Sequence, residues 1–195
     1  MPDLPKPRGD STPKRDHLLA TAFRLFYRDG YHAVGIDTIL AEAKLAKMTL
    51  YHHFASKEEL IVAVLEQRSV QVNERVQTLL REAGPSPRNQ LLAYFDRYDV
   101  WFSTKEFNGC PFIRAVAEYP EIRSSVHQAV IRHKQRGIAT LRELLSGFDI
   151  AEPEQVAVQI SLLIDGAIVS AHTFGNTSVL AHARDAALAL VKAAQ

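Results

Sequence analysis

Apolar residues recur three and four positions apart through most of the chain, and no window alternates with period two for long enough to argue a strand. Leu18, Leu19, Ala22, Phe23, Leu25 and Phe26 make one such face. It predicts a first helix with Thr12 as N-cap, Pro13 at the first position and Gly30 as a left-handed stop. A second helix is expected over about Ile36 to Ala43, with Ile39, Leu40 and Ala43 inward. A third is expected over about Ala46 to Phe54, with Leu50 and Phe54 inward. Ser56-Lys57-Glu58-Glu59 reads as a capping box, in which the serine hydroxyl takes the Glu59 amide and the Glu59 carboxylate reaches back. A long helix follows to about Arg81, before Gly84-Pro85. Further helices are expected from Ser86-Pro87 to about Thr104, from Cys110-Pro111 to about Glu118, from Pro120 to Ser146-Gly147, from Pro153 to about Phe174, and from there to the C-terminus. The expected fold is therefore all-α, with about nine helices and no repeat of fixed length.

The 195 residues suit one compact domain, or a small domain joined to a larger one. An apolar content of 47% supports a sizeable core, whereas a net charge of +1 does not by itself announce a nucleic-acid binder. Charge is uneven, however. Up to Lys57 there are nine basic residues against six acidic ones, a weak excess for a phosphate-facing surface. Residues 1–12 are rich in proline and charge, so they read as a disordered arm rather than a signal peptide; Lys6, Arg8, Lys14 and Arg15 would let it reach a minor groove, or it is an inert tail. Cys110 is the single cysteine, which fits a reducing compartment. The stretch Val156 to Val169 reads as too short for a membrane span and is broken by Gln159, Ser161 and Asp165. A soluble, cytoplasmic protein is expected. Histidine spacings give no metal pair, and there is no Ser/His/Asp grouping or glycine-rich phosphate loop, so neither a cofactor nor an enzyme is expected.

Three short helices with tight turns in the first 55 residues form a helix-turn-helix pattern, in which one helix braces while the next enters the major groove. Lys47, Met48 and His52 fall on the exposed face of the third helix. Lys47 suits guanine O6 and N7, and Met48 a thymine methyl. Tyr51 and His53 either reach DNA or pack the small domain. Lys57, at the start of a helix whose amides point outward, suits a phosphate.

The run Gly30 to Ala43, followed by Met48-Thr49-Leu50-Tyr51-His52-His53-Phe54-Ala55-Ser56-Lys57-Glu58-Glu59-Leu60, resembles the TetR/AcrR repressors of bacteria, most closely over residues 14–62. That resemblance implies a helix-turn-helix domain over residues 13–55 and a helical ligand-binding and dimerisation domain over 56–195. It also implies DNA contacts by residues matching Thr49, Tyr51 and Lys57, and a homodimer through the last two helices that binds double-stranded DNA and a small-molecule effector. The chain departs from the family where glycine and serine are usual, with Lys44 in the turn and Ala46 before the third helix. Val34 replaces a usual threonine, leaving Gly35 to cap the second helix, and Asp37 is expected to cap its own helix amides. Each loss at Lys44 and Ala46 is worth about 1 kcal/mol. A helical interaction module with a degenerate reading head is the rival reading.

The helix from Val156 to His172 is apolar nearly all round, which predicts burial on several sides. The last helix is rich in Ala and Leu, suited to close helix packing. Tyr94, Tyr98, Trp101, Phe102, Cys110, Phe112 and Ile113, interleaved with Arg97 and Arg114, make either a pocket for an amphipathic or aromatic ligand or an aromatic core. Asp165 and His172, seven apart on one helix face, need polar partners: a ligand, the other subunit or local backbone. Cys110 is either an inert thiol or one activated by the helix it precedes.

Overall fold

A computed structural model describes residues 13–195. The expected arm and the Thr12 cap lie outside the described residues. Within them the chain folds as nine α-helices: α1 (Pro13–Asp29), α2 (Ile36–Ala43), α3 (Lys47–His53), α4 (Lys57–Glu82), α5 (Pro87–Phe102), α6 (Pro111–Glu118), α7 (Ser125–Leu145), α8 (Pro153–Phe174) and α9 (Val179–Ala193). The predicted all-α fold is the observed one.

The chain divides into two compact units. One comprises the described residues up to Val72 together with Pro111–His133; the other comprises Asn73–Cys110 and Lys134–Gln195. In the first unit, α1 buries Leu18, Leu19, Ala22, Leu25 and Phe26 on one stripe, as its spacing requires. Ile39 and Leu40 of α2 and Leu50 of α3 close the same core. α1 ends at Gly30, whose φ of +96° is cheap only for glycine and whose amide donates to the Phe26 carbonyl at 2.9 Å.

In the second unit α8 packs along α9, and α5 also meets α9. Val156, Ala157, Ile160, Ile164, Ala167, Ile168 and Ala171 face inward on α8, and Leu180, Ala183, Ala187 and Val191 on α9. Small residues on both helices permit this close approach.

Three sequence expectations change. α7 starts at Ser125, not Pro120, because Ser124 wins as the cap: its hydroxyl accepts the His127 amide at 3.2 Å. α5 stops at Phe102, and the Ser103 and Thr104 hydroxyls bond back to the Asp99 and Trp101 carbonyls, each at 2.8 Å, closing its end. α8 is not buried on every side of this single chain, since Leu162 is 66% exposed and Val158, Val169 and Phe174 are exposed too. Its 22 residues are also long and apolar enough to cross a membrane on length and composition alone, beyond the shorter stretch read from the sequence, while its inward face packs against α9.

Candidate nucleic-acid interface and sensor cluster

The α2–α3 turn is built around Lys44, which adopts φ +53° and ψ +43°. A left-handed lysine is strained by roughly 1–2 kcal/mol. The turn compensates by closing α2: the Leu45 amide donates to the Leu40 carbonyl at 3.1 Å and the Lys44 amide to Ala41 at 3.3 Å. Gly35 caps α2 in extended conformation, as expected. Asp37 does not cap the amides of α2; its exposed carboxylate instead lies 3.8 Å from the Lys47 ammonium. Ala46 gives α3 no side-chain cap.

α3 is fixed by Leu50, fully buried, and by Phe54 just beyond its end, over which the Arg15 guanidinium sits at 5.3 Å. With that side inward, Lys47, Met48, Tyr51 and His52 face solvent together, Met48 at 80% exposure and Tyr51 at 46%. Water-facing methionine and tyrosine gain nothing for the core, which argues for a surface that meets something else. Thr49 and His53 are half-buried beside them. Partial burial, with His52 and Arg15 nearby, lowers the affinity of the His53 ring for a proton.

The capping box forms with a small shift. The Ser56 hydroxyl accepts the Glu59 amide at 3.1 Å, and the Glu59 carboxylate accepts the Ala55 amide at 2.7 Å, one residue before the cap. This sets Lys57 as the first residue of α4. Its ammonium donates to the His32 carbonyl at 3.2 Å, leaving further N–H donors. Burial pushes its pKa down, partly opposed by Glu118.

One feature of the first unit was missed by sequence reasoning. The Glu118 carboxylate, at the end of α6, accepts the amides of Tyr31 at 3.0 Å and His32 at 2.6 Å. The His32 ring lies 2.7 Å from the Glu118 carbonyl and stacks on Tyr119. The buried Tyr31 hydroxyl donates to the Pro111 carbonyl at 3.0 Å, and Arg114 donates to the Tyr27 carbonyl at 3.0 Å. α6 thus grips the end of α1 and the turn leading into α2. These partners are 80 to 87 residues apart, so no local pattern could have announced them.

Of the expected ligand-pocket residues, Tyr94, Tyr98, Trp101, Phe102, Cys110, Asp165 and His172 fall in the second unit, whereas Phe112 and Ile113 fall in the first. Phe112 is buried and stacks on His133, centroids 3.5 Å apart, and His133 Nδ1 lies 2.9 Å from the Ser69 hydroxyl. Tyr98, Trp101, Phe102 and Phe107 form a chain of ring contacts with centroids 4.8–6.3 Å apart. Cys110 is half-buried. Asp165 is paired within the chain, with Lys134. His172 is exposed rather than buried; Asn108 Oδ1 lies 3.1 Å from its ring, and Gly109, at φ +73°, passes so near that a Cβ would stand 3.2 Å from it.

The comparisons with known proteins agree with this architecture. Residues 18–64 match the family model of bacterial regulatory proteins of the tetR family, and residues 87–187 match a tetracyclin repressor-like C-terminal domain. A TetR-family transcriptional regulator from Streptomyces coelicolor superposes with a TM-score of 0.86 at 34% identity, over 93% of this chain and 95% of that one. The HTH-type transcriptional repressor NemR of Escherichia coli is 29% identical over 67% of this chain and 66% of its own length; its reduced form superposes with a TM-score of 0.83, over 90% and 95% of the two chains. The HTH-type transcriptional regulator LmrA of Bacillus subtilis is 26% identical over 89% of this chain and 93% of its own. Such relatives are regulators and not enzymes, and on these matches the chain belongs to the TetR family of DNA-binding transcriptional regulators.

Proposed function

We propose that the protein is a ligand-released repressor that binds a palindromic operator as a homodimer in the cytoplasm. The observation that carries this reading is the exposed face of α3, held outward by the burial of Leu50 and Phe54. Lys47, Met48, Tyr51 and His52 supply base and phosphate contacts from that face, with Thr49, His53 and Lys57 at its edge. Reading is assigned to residues 13–55, and sensing and dimerisation to residues 56–195. NemR, named as a repressor, supports the direction of regulation.

The exposed apolar residues of α8, Val158, Leu162 and Val169, recur along one side of the helix beside α9. A second copy covering that side gives a bundle of two helices from each subunit and two reading helices for half-sites about one turn, ~34 Å, apart. Effector binding in the second unit shifts the population between DNA-competent and released arrangements. Gel-shift of the full chain against DNA upstream of its own gene tests this. A sequence-selective complex is expected; its absence at every salt concentration refutes the reading.

A further inference from the structure

Among the described residues, the contacts of the Arg97 guanidinium are with tyrosines and not with a carboxylate. Its guanidinium lies between two rings of α5, 4.2 Å from the Tyr94 centroid and 4.1 Å from that of Tyr98. Nε donates to the Tyr94 carbonyl at 3.1 Å, and Nη2 donates to the Tyr98 hydroxyl. Both acceptors are neutral. Burial pushes the Tyr98 pKa far up, so this phenol carries no charge at physiological pH. In the same unit Asp96 faces Arg184, Glu154 faces Arg142, and Asp165 faces Lys134. This half-buried guanidinium has five donors and two neutral hydrogen-bond acceptors, which leaves its positive charge and further donors unmatched.

Charge and chemistry identify what would relieve it. Lys134 and Asp165 cancel, and Arg97 remains as one positive charge beside a half-buried aromatic wall of Tyr98, Trp101 and Phe107. We infer that Arg97 receives the carboxylate of the effector, a small monoanion with an aromatic body that stacks on Tyr98 and Trp101. The planar fork matches a carboxylate in two parallel hydrogen bonds, and the flanking tyrosines hold it in one orientation. This inference rests on the reading that the second unit senses a small molecule, and it names that molecule's chemical class.

Trp101 is the chain's single tryptophan, so its fluorescence reports on this wall directly. Full-length protein is titrated with benzoate, phenylacetate and indole-3-acetate, and with the primary amides of the same three bodies. Release of DNA selected by the protein is followed in parallel. The carboxylates are expected to perturb Trp101 emission and to bind roughly tenfold or more tightly than their amides. Arg97→Gln should erase that preference and Arg97→Lys should keep part of it, with helical content checked by circular dichroism. Amides that bind as well as carboxylates, a preference that survives in Arg97→Gln, or no carboxylate binding at all would each overturn the assignment. Neutral compounds that release DNA while carboxylates do not bind would refute Arg97 but leave the sensor reading standing. Carboxylates that bind through Arg97 without releasing DNA would support the site and refute the sensor.

Discussion

Replacing Glu118 with alanine removes the two carboxylate oxygens that accept the Tyr31 and His32 backbone amides at the junction of α1 and α2. Hydrogen bonds to a charged group contribute about 1.5–3 kcal/mol each when the partner is shielded. The Tyr31 amide belongs to a fully buried residue, whereas the His32 amide is solvent-exposed and readily rehydrated, so its share is discounted. The expected loss is about 2–3 kcal/mol, most of it from the lost hydrogen bond to the Tyr31 amide. Glu118→Gln keeps one carbonyl oxygen but turns an NH2 group toward a donor, so it should recover less than half of that loss. Urea unfolding of the full chain measures the total, and amide hydrogen exchange at Tyr31 and His32 localises it. Both amides should exchange faster in Glu118→Ala, in step with the fall in midpoint. A change below about 0.5 kcal/mol with unaltered exchange would show that the carboxylate does not hold this turn.

Three further outcomes follow from the geometry. Lys44→Gly relieves a left-handed lysine while adding freedom to the unfolded chain, for a net gain of about 0.5–1 kcal/mol and a rise in melting temperature of about 1–4 °C. A lower melting temperature would mean that the turn is unstrained. His53 binds its proton less readily when folded than when unfolded, so its contribution to stability is present above pH ~6.5 and is lost as pH falls through its lower folded pKa. Unfolding midpoints of wild type and His53→Gln between pH 7.5 and 5 should therefore diverge, the wild type losing more on acidification; parallel curves would contradict this. Leu162→Glu places a charge in the exposed apolar side of α8 and should give a folded monomer by sedimentation, whereas an unchanged dimer would exclude that side as the contact.

What could be read from the sequence was mainly what is local. The Gly30 stop, the left-handed position at Lys44 and the Ser56–Glu59 box each depend on residues within a few positions of one another, and each appears close to its expected form. Even there competition decides details, as when Ser124 rather than Pro120 starts α7. The outward face of α3 was legible because Leu50 and Phe54 fix its rotation. The Glu118 bridge and the Lys134–Asp165 pair were not, because they join distant segments whose meeting depends on the fold. Composition likewise shows that α8 is apolar nearly all round, but not which side the single chain leaves uncovered.

The central claim is that α3 reads DNA sequence. Its most direct test is selection of bound fragments from a random double-stranded pool by the full-length protein, with footprinting of the winners and the same selection by Tyr51→Ala. A palindromic site with half-sites about one helical turn apart is expected, with weaker, less discriminating enrichment by the variant. A pool that stays random under the wild-type protein, or a variant that enriches the same site equally well, would contradict it.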